Sequence, residues 1–280
     1  MTVTVLLAVL GAAFLHASWN ALLRVGTSRV AAMMVLSAVQ GVIGLGVVLT
    51  HDWPGAAVWP WILASGLIHT GYQTFLAFAY EHGDLGRVYP LARGTAPMLT
   101  LLANALWLGE AVSAMETLGI LVLGAGIILL AGGVWRSGES RRMLPYAFGS
   151  AFATAGYTVV DGIGARIEGQ AVVYLGWVMV VAGVAFAALM LALRGRASLP
   201  QSGRVWALGS LGAVFSYGAY AVVVWAMTVA PIPLVAALRE TSIFFAVMIG
   251  WLVFRERMTP LKGVSAAMIV AGVLLTRLAA

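Results

Sequence analysis

The 280-residue sequence contains no cysteine. This absence excludes disulfide bonds, covalent haem attachment and thiolate metal sites. The chain has four histidines, and their spacing is not that of a metal site: His16, His51, His69 and His82. It also has no Ser–His nucleophile motif and no glycine-rich phosphate loop followed by Lys. The sequence therefore predicts no metal, no cofactor and no enzyme activity.

Charged residues are also scarce. They make up 9% of the chain, whereas soluble domains carry about 25%, and hydrophobic residues make up 62%. These values predict an integral membrane protein. The net charge of +6 would suggest nucleic-acid binding in a soluble domain, but cytoplasmic loops of membrane proteins are rich in Lys and Arg. We therefore exclude nucleic acid as a partner and expect the lipid bilayer in its place.

The chain has no polar stretch long enough for a soluble domain, since the longest connection covers only about residues 194–204. A membrane-spanning helix needs about 20 mostly apolar residues, and ten such segments are present. They cover residues 2–23, 29–50, 57–80, 87–108, 113–133, 143–161, 171–193, 205–228, 231–253 and 259–278. The predicted fold is all-α with ten transmembrane helices, and all function must reside within the membrane.

Basic residues are distributed unequally between the two sides of the predicted membrane. The connections after helices 1, 3, 5, 7 and 9 hold Arg24, Arg29, Arg87, Arg136, Arg141, Arg142, Arg194, Arg196, Arg204, Arg255, Arg257 and Lys262. The opposite side holds only Arg166 and Arg277. The positive-inside rule then places the first set in the cytoplasm and both termini outside.

The two halves of the sequence share an internal repeat. A shift of 146 residues places Arg93, Thr95 and Glu110 on Arg239, Thr241 and Glu256. We predict one five-helix repeat in residues 1–139 and a second in residues 140–280. Because five is an odd number, the second repeat must be inverted relative to the first. Many secondary transporters have this arrangement, with a substrate cavity between the repeats.

Several motifs resemble those of a known family. They are residues 89–97 (YPLARGTAP) continuing to Leu108-Gly109-Glu110, residues 231–241 (PIPLVAALRET) continuing to Arg255-Glu256, and residues 16–20 (HASWN). The chain resembles the EamA modules of the drug/metabolite transporter superfamily over its whole length. It looks most like bacterial inner-membrane exporters of the aromatic amino-acid (YddG) type.

This resemblance implies alternating-access export of small metabolites, amino acids including aromatic ones, across the bacterial inner membrane. Exporters of other metabolites or of cationic drugs are the alternative. An intramembrane enzyme or a channel is less favoured, since channels usually build a selectivity ring from oligomeric symmetry. A monomer can suffice, and a dimer stays open.

Three charged residues fall well inside predicted helices: Arg93, Arg239 and Glu240. An ionised group at mid-bilayer costs about 3 kcal/mol on insertion scales, so each should face a wet cavity or a partner. They either bind substrate or hold helix ends together. Arg239 and Glu240 are adjacent, hence about 100° apart on a helix, and are not expected to pair. Two arginines against one glutamate leave a positive charge that suits a substrate carboxylate.

Polar and aromatic residues around these charges recur at helical spacing. A polar face avoids lipid, so these residues should line one interior cavity. We expect the following to bind substrate with the buried charges: His16, Trp19, Asn20, His69, Tyr72, Gln73, Tyr80, Tyr89, Tyr157, Tyr217 and Tyr220. The two histidines could instead only bond neighbouring helices. Tyr80 and Trp225 lie near helix ends, where an interfacial position is equally open.

The remaining acidic residues are expected to be structural or solvated. Asp161 and Glu81 are assigned to solvated loops at helix ends, and Glu110 and Glu256 to caps or structural positions of the repeat. No nucleotide-binding domain is present, so transport is secondary or facilitated. Candidates for a proton carrier are Glu240, His16 and His69, followed by Asp161, and the mode of coupling stays open.

Four prolines occur near the buried arginines. Pro90 and Pro97 lie in predicted helix 4, and Pro231 and Pro233 lie at the start of helix 9. Proline removes a backbone donor and disfavours a straight helix. Interrupted helices at matching places in two repeats point to the moving parts of a transporter. We therefore predict that these prolines mark gates at opposite ends of the cavity.

Overall fold

A computed structural model describes residues 1–24, 29–82, 93, 95–131, 142–255 and 257–278. The regular secondary structure of these residues is entirely helical. The helices are α1 (Val3–Arg24), α2 (Arg29–Val48), α3 (Trp59–His82), α4 (Ala96–Ala103), α5 (Ala114–Ala131), α6 (Met143–Glu168), α7 (Ala171–Arg194), α8 (Gly203–Val229), α9 (Ile232–Arg239), α10 (Ser242–Leu252) and α11 (Pro260–Leu278). A π-helical turn at Asn104–Leu108 extends α4.

Six stretches of the described residues are long and apolar enough to cross a membrane by length and composition. They correspond to α1, α2, α7, α8, the pair α9–α10, and α11. α3 and α6 are as long, with 24 and 26 residues, but they carry more polar side chains. These polar side chains include His69 and Gln73 on α3 and Thr154, Thr158 and Asp161 on α6. The chain is a multi-pass membrane protein.

The closest helix packing joins the first half of the chain to the second. α1 packs against α8, α2 against α7, α3 against α6, and α5 against α11. Less extensive contacts join α4 to α6 and to α9. The polar faces of α1, α3, α6 and α8 are brought together in the interior by this arrangement.

Glycines permit two of these close contacts. A Cβ on Gly44 of α2 would lie 2.4 Å from the carbonyl oxygen of Gly176 on α7. A Cβ on Gly119 of α5 would lie 2.7 Å from the carbonyl oxygen of Gly272 on α11. Small residues let helix backbones approach closely, which is how many membrane helices associate. These glycines therefore fix the distance between the two halves.

The predicted ninth helix is divided into two. α9 ends at Arg239, and α10 begins at Ser242 after Thr241 as its N-cap. α4 begins in the same way at Ala96 after Thr95, which lies 146 residues earlier, the spacing of the sequence repeat. The break places Arg239 and Glu240 at the end of a short helix inside the protein.

The prolines occupy helix starts in the described part of the chain. Pro97 and Pro233 are the second residues of α4 and α9, and Pro231 is the N-cap of α9. A missing backbone donor costs little there, because the first N–H groups of a helix have no partner within it. Pro90 lies outside the described residues. The role of these prolines in gating stays a prediction.

Candidate substrate cavity

An interior cavity lies between the two halves. It comprises about 470 Å³ of empty space, counting the part that opens to the exterior. Its lining comes from α1, α2, α3, α6, α7, α8 and α9: His16, Trp19, Met33, Leu36, Gln40, His69, Tyr72, Gln73, Tyr157, Met179, Ser216, Tyr220 and Arg239.

Most of the residues expected from sequence meet at this cavity. Eight of them line it: His16, Trp19, His69, Tyr72, Gln73, Tyr157, Tyr220 and Arg239. Asn20 is buried nearby and donates to the carbonyl of His16 at 2.8 Å. Tyr217 packs against the apolar core, and Trp225 is exposed on the outer surface. The side chain of Tyr80, and Tyr89 entirely, lie outside the described residues.

Aromatic rings form one wall of the cavity. The imidazole of His69 stacks on Tyr157, with ring centroids 4.0 Å apart and planes 18° apart. Tyr220 meets Tyr157 edge to face at 5.7 Å, and Tyr72 does so at 5.4 Å. Each such aromatic pair contributes about 0.5–1.5 kcal/mol beyond its area burial. The rings therefore hold one another in place and present a rigid aromatic surface.

Arg239 extends the aromatic wall with a positive charge. Its Cζ lies 5.5 Å from the ring centre of Tyr157 and 5.7 Å from that of Tyr220, which are cation–π distances. Its Nη2 also lies 3.4 Å from the hydroxyl oxygen of Thr158. Among the described lining residues, Arg239 alone carries a permanent charge, and it can receive an anionic group in the cavity.

Arg93 and Glu240 form a buried salt bridge behind Arg239. Arg93 Nε donates to Glu240 Oε2 at 2.9 Å, and Arg93 Nη2 donates to Oε1 at 2.8 Å. This two-point geometry is the strong form of an arginine–carboxylate contact. Neither residue is part of the cavity lining. Arg93 and Glu240 thus join the two halves of the chain at their centre.

The expectation that Arg239 and Glu240 do not contact each other is wrong. Arg239 Nε and Nη2 both lie 3.3 Å from Glu240 Oε1. The 100° separation applies within a continuous helix, but α9 ends at Arg239 and leaves the Glu240 side chain free to turn back. The contact is longer than that of Glu240 with Arg93, so the carboxylate binds mainly to Arg93.

The assignment of Asp161 to a solvated loop is also wrong. α6 continues to Glu168, seven residues beyond its predicted end, and Asp161 is fully buried. Its Oδ1 accepts from the Tyr174 hydroxyl at 3.0 Å. Its Oδ2 accepts from the Tyr220 hydroxyl and lies 3.1 Å from His69 Nε2. Asp161 therefore adds a second buried carboxylate beside the two buried arginines, which the count of charges from sequence had left out.

Sequence reasoning missed several residues of the cavity. Met33, Leu36, Gln40 and Met179 line it. Three of them are apolar residues in apolar helices, so the sequence does not distinguish them from other core positions. Ser37, one helical turn from Gln40, donates to Gln73 Oε1 at 2.9 Å, and it orients that amide. Asp161 had a usable signal, since it follows Tyr157 by four residues and therefore shares its face of the helix.

A second polar cluster lies at the ends of α4, α6, α8 and α9. Glu110 accepts from the backbone N–H of Ile232 at 2.7 Å and from the guanidinium of Arg166. Arg166 also donates to the carbonyl of Met227 at 2.8 Å and to that of Ala230 at 3.1 Å. The amide of Asn104 accepts from the backbone N–H of Glu110 at 3.0 Å and donates to its carbonyl at 3.1 Å. Glu110 thus has the structural role expected of it, and Glu256 lies outside the described residues.

Comparison with known proteins agrees with this architecture. The EamA-like transporter family matches residues 3–132 and residues 141–278. The chain belongs to the EamA-like transporter family. This family of the drug/metabolite transporter superfamily comprises membrane transporters, so a small-molecule substrate and a lipid environment follow for this chain.

Solved structures share the fold of this EamA-like transporter. In total, 29 solved chains match it. One crystal structure aligns over 99% of this chain and 99% of its own chain, with a TM-score of 0.77 and 20% sequence identity. No curated protein is similar enough in sequence to match. At this identity the likeness defines the fold alone.

Proposed function

We propose that this EamA-like transporter exports small zwitterionic metabolites, most of all amino acids including aromatic ones, as in exporters of the YddG type. The observation that carries the proposal is the position of Arg239, whose guanidinium lines a cavity walled by Tyr157 and Tyr220. A guanidinium binds a carboxylate through two parallel hydrogen bonds. Aromatic walls accept a planar side chain.

Arg239 is the better candidate of the two buried arginines for the substrate carboxylate. Glu240 is bound at 2.8–2.9 Å by Arg93 and at 3.3 Å by Arg239. A substrate carboxylate therefore competes with a longer contact at Arg239. Arg93 supports the site from behind, because it holds Glu240 in place at the end of α9.

Alternating access is supported by the arrangement of the helices. In the predicted repeat, α1 corresponds to α6 and α3 to α8. The contact of α1 with α8 and the contact of α3 with α6 are therefore equivalent, as expected for inverted repeats. The cluster of Glu110 and Arg166 ties helix ends on one side. By the distribution of basic residues, that side faces the periplasm of the bacterial inner membrane, with both termini. A reporter fused to the C-terminus should be active only outside the cytoplasm, and cytoplasmic activity would overturn the orientation.

Ligand-dependent thermal stabilisation of the purified protein tests the substrate class. The panel comprises aromatic amino acids, threonine, methionine, nucleobases and cationic drugs. We expect stabilisation by amino acids, and its loss in the Arg239→Gln variant. Arg194→Gln is the matched control, because Arg194 forms an exposed ion pair with Glu81, and it should respond as the unmodified protein does. Stabilisation by cations and not by amino acids would overturn the proposal in favour of multidrug export.

Transport itself is measured in proteoliposomes. Radiolabelled phenylalanine should enter vesicles loaded with unlabelled phenylalanine, and the uptake should saturate and be reduced by competing amino acids. Saturation and competition distinguish a carrier from a channel. Uptake that rises linearly with concentration would contradict the proposed mechanism.

A further inference from the structure

We infer that His69 and Asp161 form a proton-binding site that couples transport to a proton gradient. This inference rests on the proposed function, since it concerns the driving ion of the same transporter. The pair lies at the edge of the cavity, with His69 in the lining and Asp161 behind it. The two side chains come from opposite halves of the chain, on α3 and α6.

The surroundings of Asp161 are those of an ionised carboxylate. An ionised carboxylate only accepts hydrogen bonds, and Asp161 receives the hydroxyl groups of Tyr174 and Tyr220. Among the groups in direct contact with the Asp161 carboxylate, the one that can carry the opposite charge is His69, at 3.1 Å. Protonated His69 gives a neutral pair, whereas neutral His69 leaves one negative charge. Uptake or release of one proton therefore changes the charge of the site by one.

The geometry gives the proton a path. Asp161 has no exposed surface, but His69 reaches the cavity. A proton from cavity water is bound by the imidazole and held by the carboxylate behind it. It returns to water when the cavity opens to the other side, and no other bond is formed or broken.

Other titratable and charged groups face this pair from the helices packed around it. These groups are Tyr72 of α3, Tyr157 of α6, Tyr174 of α7, Tyr220 of α8 and Arg239 of α9. The Arg93–Glu240 salt bridge lies behind Arg239, and His16 of α1 lines the same cavity. α2 contributes uncharged lining residues, and α4 (Ala96–Ala103) holds no titratable residue.

The proton site and Arg239 contact the same two rings. His69 stacks on Tyr157 and meets Tyr220 at 5.4 Å, and the guanidinium of Arg239 lies over both rings. A zwitterionic substrate with its carboxylate on Arg239 directs its ammonium group toward these rings and the negative charge of Asp161. A proton on His69 neutralises that charge. Proton and substrate therefore compete, which is the requirement for exchange of one against the other.

The test uses proteoliposomes containing the full chain and radiolabelled phenylalanine. An acidic vesicle interior should drive phenylalanine uptake, since protons leave as substrate enters, and equal pH on both sides should allow exchange only. Binding should weaken by about tenfold when His69 is protonated, because coupling between two sites is reciprocal and typically amounts to a factor of 5–150.

Asp161→Asn should retain exchange at equal pH, at a reduced rate, and lose the response to the gradient. Glu81→Gln is the matched control, because it also converts a carboxylate to an amide but in an exposed ion pair, and it should respond as the unmodified protein does. Gradient-driven uptake by Asp161→Asn at the unmodified level would overturn the inference. Exchange by the unmodified protein with no response to pH would also overturn it, while leaving the proposed function intact.

If Asp161→Asn does not fold, the Tyr174→Phe variant tests the proton-binding site instead. It removes one hydrogen bond to Asp161 without altering the cavity lining. The negative charge of Asp161 is then less stabilised and should hold the proton on His69 more tightly. The pH midpoint of coupled uptake should therefore move upward while exchange persists. An unchanged midpoint would contradict the inference. Absence of exchange in the unmodified protein would instead refute the proposed function.

Discussion

Glu110 accepts the backbone N–H of Ile232, the first residue of α9, although the two residues lie 122 positions apart in the chain. A carboxylate at a helix N-terminus is stabilised by the unpaired N–H groups there. The same carboxylate binds Arg166, which in turn holds the carbonyl groups that end α8. Two side chains thus connect four helix ends on this side of the protein.

We expect this cluster to restrict opening of the transporter on its side, so loss of the Glu110 charge should make opening easier. In Glu110→Gln the hydrogen bond with Arg166 loses its charge, and such bonds contribute about 1.5–3 kcal/mol. Because the chain has no cysteine, a single Ala230→Cys substitution reports the opening, since Ala230 is buried beside the cluster. We expect Cys at this position to react with a polar maleimide up to about tenfold faster in Glu110→Gln. Equal rates would show that the cluster does not close this side.

The Arg93–Glu240 salt bridge should contribute strongly to the stability of the protein. Removing one partner of a buried pair typically costs about 3–5 kcal/mol, because the other charge is left without compensation. Arg93→Gln and Glu240→Gln should each lower the melting temperature in detergent, and the exchanged pair Arg93→Glu with Glu240→Arg should recover part of the loss. Single variants as stable as the unmodified protein would contradict a structural role for the pair.

The ring of Tyr157 should matter more than its hydroxyl group. Its faces contact His69 and Arg239, and Tyr157→Phe keeps both contacts. Tyr157→Leu removes them, and aromatic pairs contribute about 0.5–1.5 kcal/mol each. Isothermal titration with phenylalanine should therefore show binding up to about tenfold weaker for Leu and little changed for Phe. Equal losses in the two variants would assign the effect to the hydroxyl.

Contact between α2 and α7 should depend on Gly44. Gly44→Ala places a methyl group against the backbone of Gly176, and overpacking costs about 1–3 kcal/mol. Gly46 is the matched control, because it lies on the same helix and its Cβ would have no neighbour within 4 Å. Unfolding by denaturing detergent should show a loss of stability for Gly44→Ala and not for Gly46→Ala. Equal stability of the two variants would contradict the close contact.

Helical periodicity was sufficient to predict most of the cavity. His69, Tyr72 and Gln73 share a face of α3, and Tyr157 and Tyr220 belong to polar faces that avoid lipid, so their convergence follows from the absence of water in a bilayer. Asp161 shares the face of Tyr157, four residues earlier, but periodicity alone does not show that the helix continues past it. A carboxylate followed by glycine is typical of a solvated helix end, whereas here three partners from α3, α7 and α8 compensate the burial of Asp161.

The pairing of charges required the tertiary structure. Sequence identified Arg93, Arg239 and Glu240 as buried, but only the interruption after Arg239 decides which arginine binds the carboxylate at two points. Similarly, Arg166 carries no sequence signal of its contact with Glu110, because the two residues are joined only when α4 and α6 pack together.

The Arg93–Glu240 salt bridge also constrains how the protein is made. Glu240 is translated 147 residues after Arg93, which at about 5–20 residues per second takes about 7–30 seconds. During this interval the membrane-insertion machinery must hold an arginine, at a cost of about 3 kcal/mol at mid-bilayer, without its carboxylate partner. The first half of the chain therefore carries a buried arginine without its carboxylate partner until the second half is inserted.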